Sequence, residues 1–119
     1  QELMQWAEWR AKRALKDIEY YEERREKQEA ILKELYRQGG ASAVLRYVAE
    51  NLHVLRYFGY EVNTDKINVI ELDDNMLFIY LDAVTVLIKI CYDSSDLYCG
   101  DYLAQLDDTH YITIGVSRG

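Results

Sequence analysis

Residues 67–92 read INVIELDDNMLFIYLDAVTVLIKICY, and this stretch decides the fold. Three runs, Ile67–Leu72, Met76–Leu81 and Val84–Tyr92, are rich in β-branched and aromatic side chains, which suit a pleated strand. Asp73-Asp74-Asn75 separates the first two, and Asp is favoured in turns because its carboxylate bonds nearby backbone N–H groups. Val84, Val86, Ile88 and Ile90 alternate with Thr85, Leu87, Lys89 and Cys91. A period of two marks the valine and isoleucine side as the one facing a core.

Downstream, Leu97–Ala104 and Tyr111–Val116 continue the pattern after the acidic turns Asp93-Ser94-Ser95-Asp96 and Asp107-Asp108-Thr109. Short connections imply antiparallel neighbours, so a meander of four or five strands is expected.

Upstream the period is helical. Between Leu3 and Gln38 there is no Pro, Gly or Asn, and Glu, Lys, Arg, Ala and Leu dominate, all strong helix formers. Gly39-Gly40 is the expected stop. Thirty-six residues make a rod of about 54 Å, whereas a compact globule of this length has a radius of gyration of about 13–14 Å. The rod outruns the globule. A second helix is expected from Ser42, its N-cap, to Gly59, with Val44, Leu45, Val48, Leu52, Leu55 and Phe58 on one side. The two helices would form a hairpin covering the sheet. The expected class is therefore α+β: a long charged helix, 1–38, serving oligomerisation, then an acidic α+β domain, 39–119.

The rod carries a heptad stripe: Met4, Ala7, Ala11, Ala14, Ile18, Tyr21, Arg25, Gln28, Leu32 and Leu35. That spacing turns one face towards a partner helix. Arg25 and Gln28 interrupt it, so it is not a uniform zipper. Trp6 and Trp9 lie off the seam near the free end, where a second copy would cover them. Salt-bridge pairs such as Glu23–Lys27 add only about 0.3–0.5 kcal/mol each, so packing decides the fate of this helix.

Charge divides the chain in the same place. Residues 1–38 hold nine basic and nine acidic side chains, while residues 39–119 hold five against twelve. The net charge of −7 thus belongs to the second segment, which would repel nucleic acid and anionic lipid and attract a basic protein. A binding face is expected from Asp73, Asp74, Asp93, Asp96, Tyr98, Asp101, Tyr102, Asp107 and Asp108, tyrosine being common at recognition surfaces.

No reaction-bearing motif is present. The aspartates do not follow calcium-loop spacing, and turn chemistry accounts for them. Glu71, Asp82 and Lys89 could be drawn as a metal-dependent hydrolase set, but chance co-occurrence explains them better. His53, near the apolar face of the second helix, reads as a satisfied, partly buried imidazole, and His110, beside a turn, as solvated. Neither points to a metal or cofactor. Cys91 and Cys99 lie symmetrically about Ser95. A loop of odd length would set them opposite and permit a disulfide, whereas a four-residue loop would set Cys91 opposite Tyr98.

With no membrane-length apolar run and no signal-like opening, a cytoplasmic location and two reduced thiols are expected. The function expected is a non-enzymatic, homodimeric interaction module with a basic protein partner. The alternative is an acidic inhibitor of the immunity or viral anti-defence type, acting in a host cytoplasm if viral, that blocks a basic nucleic-acid cleft.

Overall fold

Glycine 40 sets the direction of everything after the rod. The computed structural model describes residues 2–92 and 99–118, and the backbone but not the side chains of residues 2–19 and 21. α1 (Glu2–Glu50) is helical throughout except at Gly40, whose φ of 73° and ψ of −159° produce a kink. Only glycine enters that region at little cost. The hydroxyl of Tyr47 donates to Gln28 Oε1 at 2.8 Å, although nineteen positions along a straight helix span about 28 Å. The kink therefore brings residues after Gly40 within reach of those before it.

The separate second helix expected from Ser42 to Gly59 does not form as such. Residues to Glu50 continue α1 beyond the kink, and Leu52–Phe58 is a 3-10 helix. One kinked helix and a 3-10 segment stand where the two-helix hairpin was expected. The break falls at Asn51, whose side chain donates to the carbonyl of Tyr47 at 2.9 Å. Asparagine competes with the helical backbone in this way. Beyond it, Leu52, Leu55 and Phe58 recur every third residue, the period of a 3-10 helix. Gly59 closes that segment in the left-handed region.

Five strands follow: β1 (Ile67–Asp73), β2 (Met76–Leu81), β3 (Val84–Tyr92), β4 (Asp101–Gln105) and β5 (His110–Arg118). All neighbouring pairs are antiparallel. The order across the sheet is β1-β2-β3-β5-β4, which corrects the simple meander. β5 inserts between β3 and β4, so the chain passes from one side of β5 to the other between Tyr92 and Asp101. The fourth strand begins at Asp101, and residues 97 and 98 lie outside the described residues.

Two devices fix this passage. A side chain on Gly100 would collide with the backbone carbonyl of Ile114, so only glycine lets the incoming chain lie this close to β5. Its N–H donates to Thr113 Oγ1 at 3.3 Å, and that buried hydroxyl donates to the carbonyl of Lys89 at 3.3 Å. Cys91 and Cys99 form a disulfide, correcting the expectation of two free thiols. Closing a loop across eight positions restricts the unfolded chain by about 2.5 kcal/mol in the chain-entropy account.

The core lies between the sheet and the helical layer. Val86, Ile88 and Ile90 of β3 are buried as their alternation indicated, with Leu77 and Ile79 beside them on β2 and Ile112 and Ile114 on β5. Leu32, Val44, Leu45, Val48 and Leu55 meet them from the helical side. Leu32 is 1 % exposed, and Leu35 packs against the same cluster. The last two members of the heptad stripe thus serve the subunit's own core.

Leu32→Ala should lower stability by about 2–4 kcal/mol, the usual cost of emptying a core leucine site, measured by denaturant unfolding. Gly100→Ala should cost about 2 kcal/mol or more, because backbone rather than a flexible side chain stands in the way. A thermal midpoint unchanged by Gly100→Ala would contradict the close approach to β5.

Candidate interaction site

The topology gathers two acidic turns at one end of the sheet. Asp73 and Met76 close the β1–β2 turn, with Asp74 at φ 43°, a conformation Asp tolerates better than most residues. Ile90 N–H donates to the carbonyl of Asn75 at 3.0 Å, and the Asn75 side chain donates to the carbonyl of Ile90 at 3.1 Å. These bonds tie the turn to the end of β3. Tyr92 in turn opposes His110 at the start of β5, which places the β4–β5 turn at the same end. Strands about 4.8 Å apart and a stagger of three residues, from the level of Lys89 to that of Tyr92, put the two turns about 17 Å from each other. They share an end without converging.

The β4–β5 turn is organised by Asp107. Its Oδ1 accepts from the N–H of Thr109 at 2.8 Å and of His110 at 2.7 Å, and the His110 ring lies at 3.0 Å. Partial desolvation pushes this carboxyl upward, but the Thr109 and His110 hydrogen bonds outweigh it and hold the acid below its ordinary range. His110 was expected to be solvated. Instead its ring lies 5.5 Å from that of Tyr36 on α1 and 5.1 Å from that of Tyr92. Desolvation, then the nearby Asp107 charge, raises the Tyr36 hydroxyl above its usual value. Asp107 and His110 at a spacing of three, in a turn, were the only sequence signal for this cluster. Tyr36 comes from α1 and Tyr92 from β3, far apart in the chain, and their meeting could not be inferred.

A groove of about 660 Å³ beside it is lined by Ala30, Lys33, Glu34, Tyr36, Arg37, Leu106 and Asp107. On its α1 wall, hydrogen bonds from Arg37 and Gln38 hold the Glu34 carboxyl down at about 2.

The remaining candidates scatter. Asp108 is exposed in the same turn. Asp101 sits at the opposite end of β4, where Tyr60 donates to it at 2.9 Å, and that bond raises the Tyr60 hydroxyl. Tyr102 is 59 % exposed and its ring lies 6.0 Å from that of Tyr111. Asp93, Asp96 and Tyr98 lie outside the described residues, as do the side chains of Met4, Trp6, Ala7, Trp9, Ala11, Ala14, Ile18 and Tyr21. His53 is exposed, not partly buried; the α-helix ends before it and it lies in the 3-10 segment.

The hydrolase set does not assemble. Lys89 opposes Met76 at the first residue of β2, whereas Asp82 follows the last. Six residues of strand separate those levels, about 20 Å. Glu71 accepts from Tyr80, and Asp82 accepts from Asn68. Among the described residues no cluster of three or more His, Cys, Asp or Glu could hold a metal ion, and no helix is long and apolar enough to cross a membrane. Compared with family models, curated proteins and solved structures, the chain matches none.

Asp107→Ala should destabilise the domain by about 1 kcal/mol through loss of its backbone acceptor. The sign with pH follows from the depressed acid. Its contribution is complete above the ordinary aspartate value of 3.8 and is lost as pH falls through the lower folded value. Unfolding measured from pH 6 down through this range should therefore show the gap between wild type and Asp107→Ala closing with acid.

Proposed function

We propose that this chain is a non-enzymatic interaction module. The N-terminal half of α1 joins two copies, and the acidic end of the sheet engages a basic protein. One observation carries the first part: α1 outruns the body. The principal extents are 55 × 33 × 26 Å and the radius of gyration is 16.5 Å, against about 13–14 Å for a compact chain of this length. Glu22 and Arg25 of α1 line a surface shared with the body, across from Arg56 to Glu61. Gln28 then bonds Tyr47. Some twenty residues of helix, about 30 Å, precede that point. They contain the unbroken part of the stripe, Met4 to Ile18, together with Trp6 and Trp9.

An isolated helix is held in water mainly by burial of an apolar face against something else. A second copy supplies that surface with the same spacing. Leu32 and Leu35 are committed to the subunit core, so the seam is assigned to residues 4–21.

The acidic-inhibitor reading draws support from the shared end of Asp73, Asp74, Asp107 and Asp108. Four carboxylates across about 17 Å present a field suited to a basic cleft. Both readings ask for a basic protein and differ in whether the target binds nucleic acid.

Light scattering at tens of micromolar should give twice the chain mass of 14.0 kDa. Removing residues 1–21 should yield a monomer with an unchanged sheet signature by circular dichroism. A full-length monomer at that concentration would overturn the seam.

A further inference from the structure

The two edges of the sheet are built differently. β4 has five residues, a register irregularity between Tyr102 and Ala104, and buried Leu103 and Ala104. A short, irregular edge is a common defence against further pairing. β1 has seven residues, INVIELD, of which all but Ile67 are exposed. Val69 is 50 % exposed and Ile70 and Leu72 are 40 % exposed each. It carries neither proline nor lysine between Ile67 and Asp73, and its irregularity is confined to the start, between Ile67 and Val69.

The register tells which backbone groups face outward. Asp73 and Met76 are directly opposed across the two-residue loop Asp74-Asn75, and such loops close on a pair that exchanges both hydrogen bonds. Alternation then turns Val69, Glu71 and Asp73 towards β2 for backbone pairing. The N–H and C=O of Ile70 and Leu72 are left pointing away from the sheet.

A second copy is a poor occupant. Pairing antiparallel about Ile70 makes Glu71 a diagonal neighbour of its own counterpart, within side-chain reach. Pairing about Glu71 sets the two glutamates directly opposite, and pairing about Leu72 sets Asp73 opposite Glu71. Each of these three registers brings carboxylates together. A strand with basic residues opposite Glu71 and Asp73 and aliphatic residues opposite Ile70 and Leu72 satisfies both faces.

Building on the reading that the acidic segment recruits a basic protein, we propose that β1 is the docking edge. The partner contributes an extended segment of alternating basic and aliphatic residues, which adds to the sheet as a sixth, antiparallel strand. Main-chain bonds to Ile70 and Leu72 supply affinity, and the alternate side chains supply selectivity.

The probe is a fluorescently labelled peptide alternating valine and lysine, titrated by anisotropy against the full chain at low salt. Saturable binding is expected, with new exchange protection at the Ile70 and Leu72 amides. A peptide alternating valine and glutamate should not bind. Ile70→Pro removes an outward N–H that the domain itself does not use and should weaken binding about tenfold or more, the loss of one bond and misalignment of its neighbour. Should Ile70→Pro fail to fold, Glu71→Lys gives a second test by placing a cation opposite the partner's basic residues. Equal affinity in wild type and variant would overturn the edge-strand mode while leaving a basic partner possible elsewhere on the acidic end. No binding of the lysine peptide at low salt would overturn both.

Discussion

The fold depends on a change of direction at one glycine. Leu32 and the trio Val44, Leu45 and Val48 belong to the same helix, yet all of them enter one core. A straight helix would carry Val48 about 24 Å beyond Leu32, whereas the neighbouring Tyr47 reaches back to bond Gln28. The positive φ at Gly40 lets both segments of α1 lie over Leu77, Ile79, Ile88 and Ile112. The two-part helical cover of the sheet follows from this kink.

The sheet has a second dependence, at the other end of the chain. Inserting β5 between β3 and β4 makes β3 and β4 parallel, and Gly100, just before β4, lies against the backbone of β5. Gly100, Thr113 and the Cys91–Cys99 disulfide together hold the connection between β3 and β4. The insertion also decides what lies next to what. It brings His110 against Tyr92 and Tyr36, places the Asp107 turn at the end occupied by Asp73 and Asp74, and leaves β1 as the long uncovered edge.

Charge and shape then point the same way. The basic side chains of the rod are balanced by its own acids, as in the exposed pairs Glu23–Lys27 and Arg25–Glu29, which contribute little in water. The sheet domain has no such balance. Its carboxylates lie at turns and on the outer side of β1, around backbone groups with no strand to pair with. A partner that brings positive charge and a strand satisfies both deficits at one place.

The sequence by itself determined the elements. Periods of two and 3.6, the glycine pair and the aspartate-rich turns located β2 and β3 to the residue, and located the kink at Gly40 though not the end of α1 at Glu50, because these signals are local. It also located the charge imbalance. Only the tertiary structure decided that Leu32 and Leu35 face inward, that β5 separates β3 from β4, and that Cys91 meets Cys99. Each of these depends on contacts between residues far apart in the chain, where burial against a specific neighbour outweighs any local preference. Asn51 shows the boundary between the two kinds of information. Its side chain bonds the carbonyl of Tyr47, and apolar spacing that suits an α-helix and a 3-10 helix almost equally well concealed the break it marks.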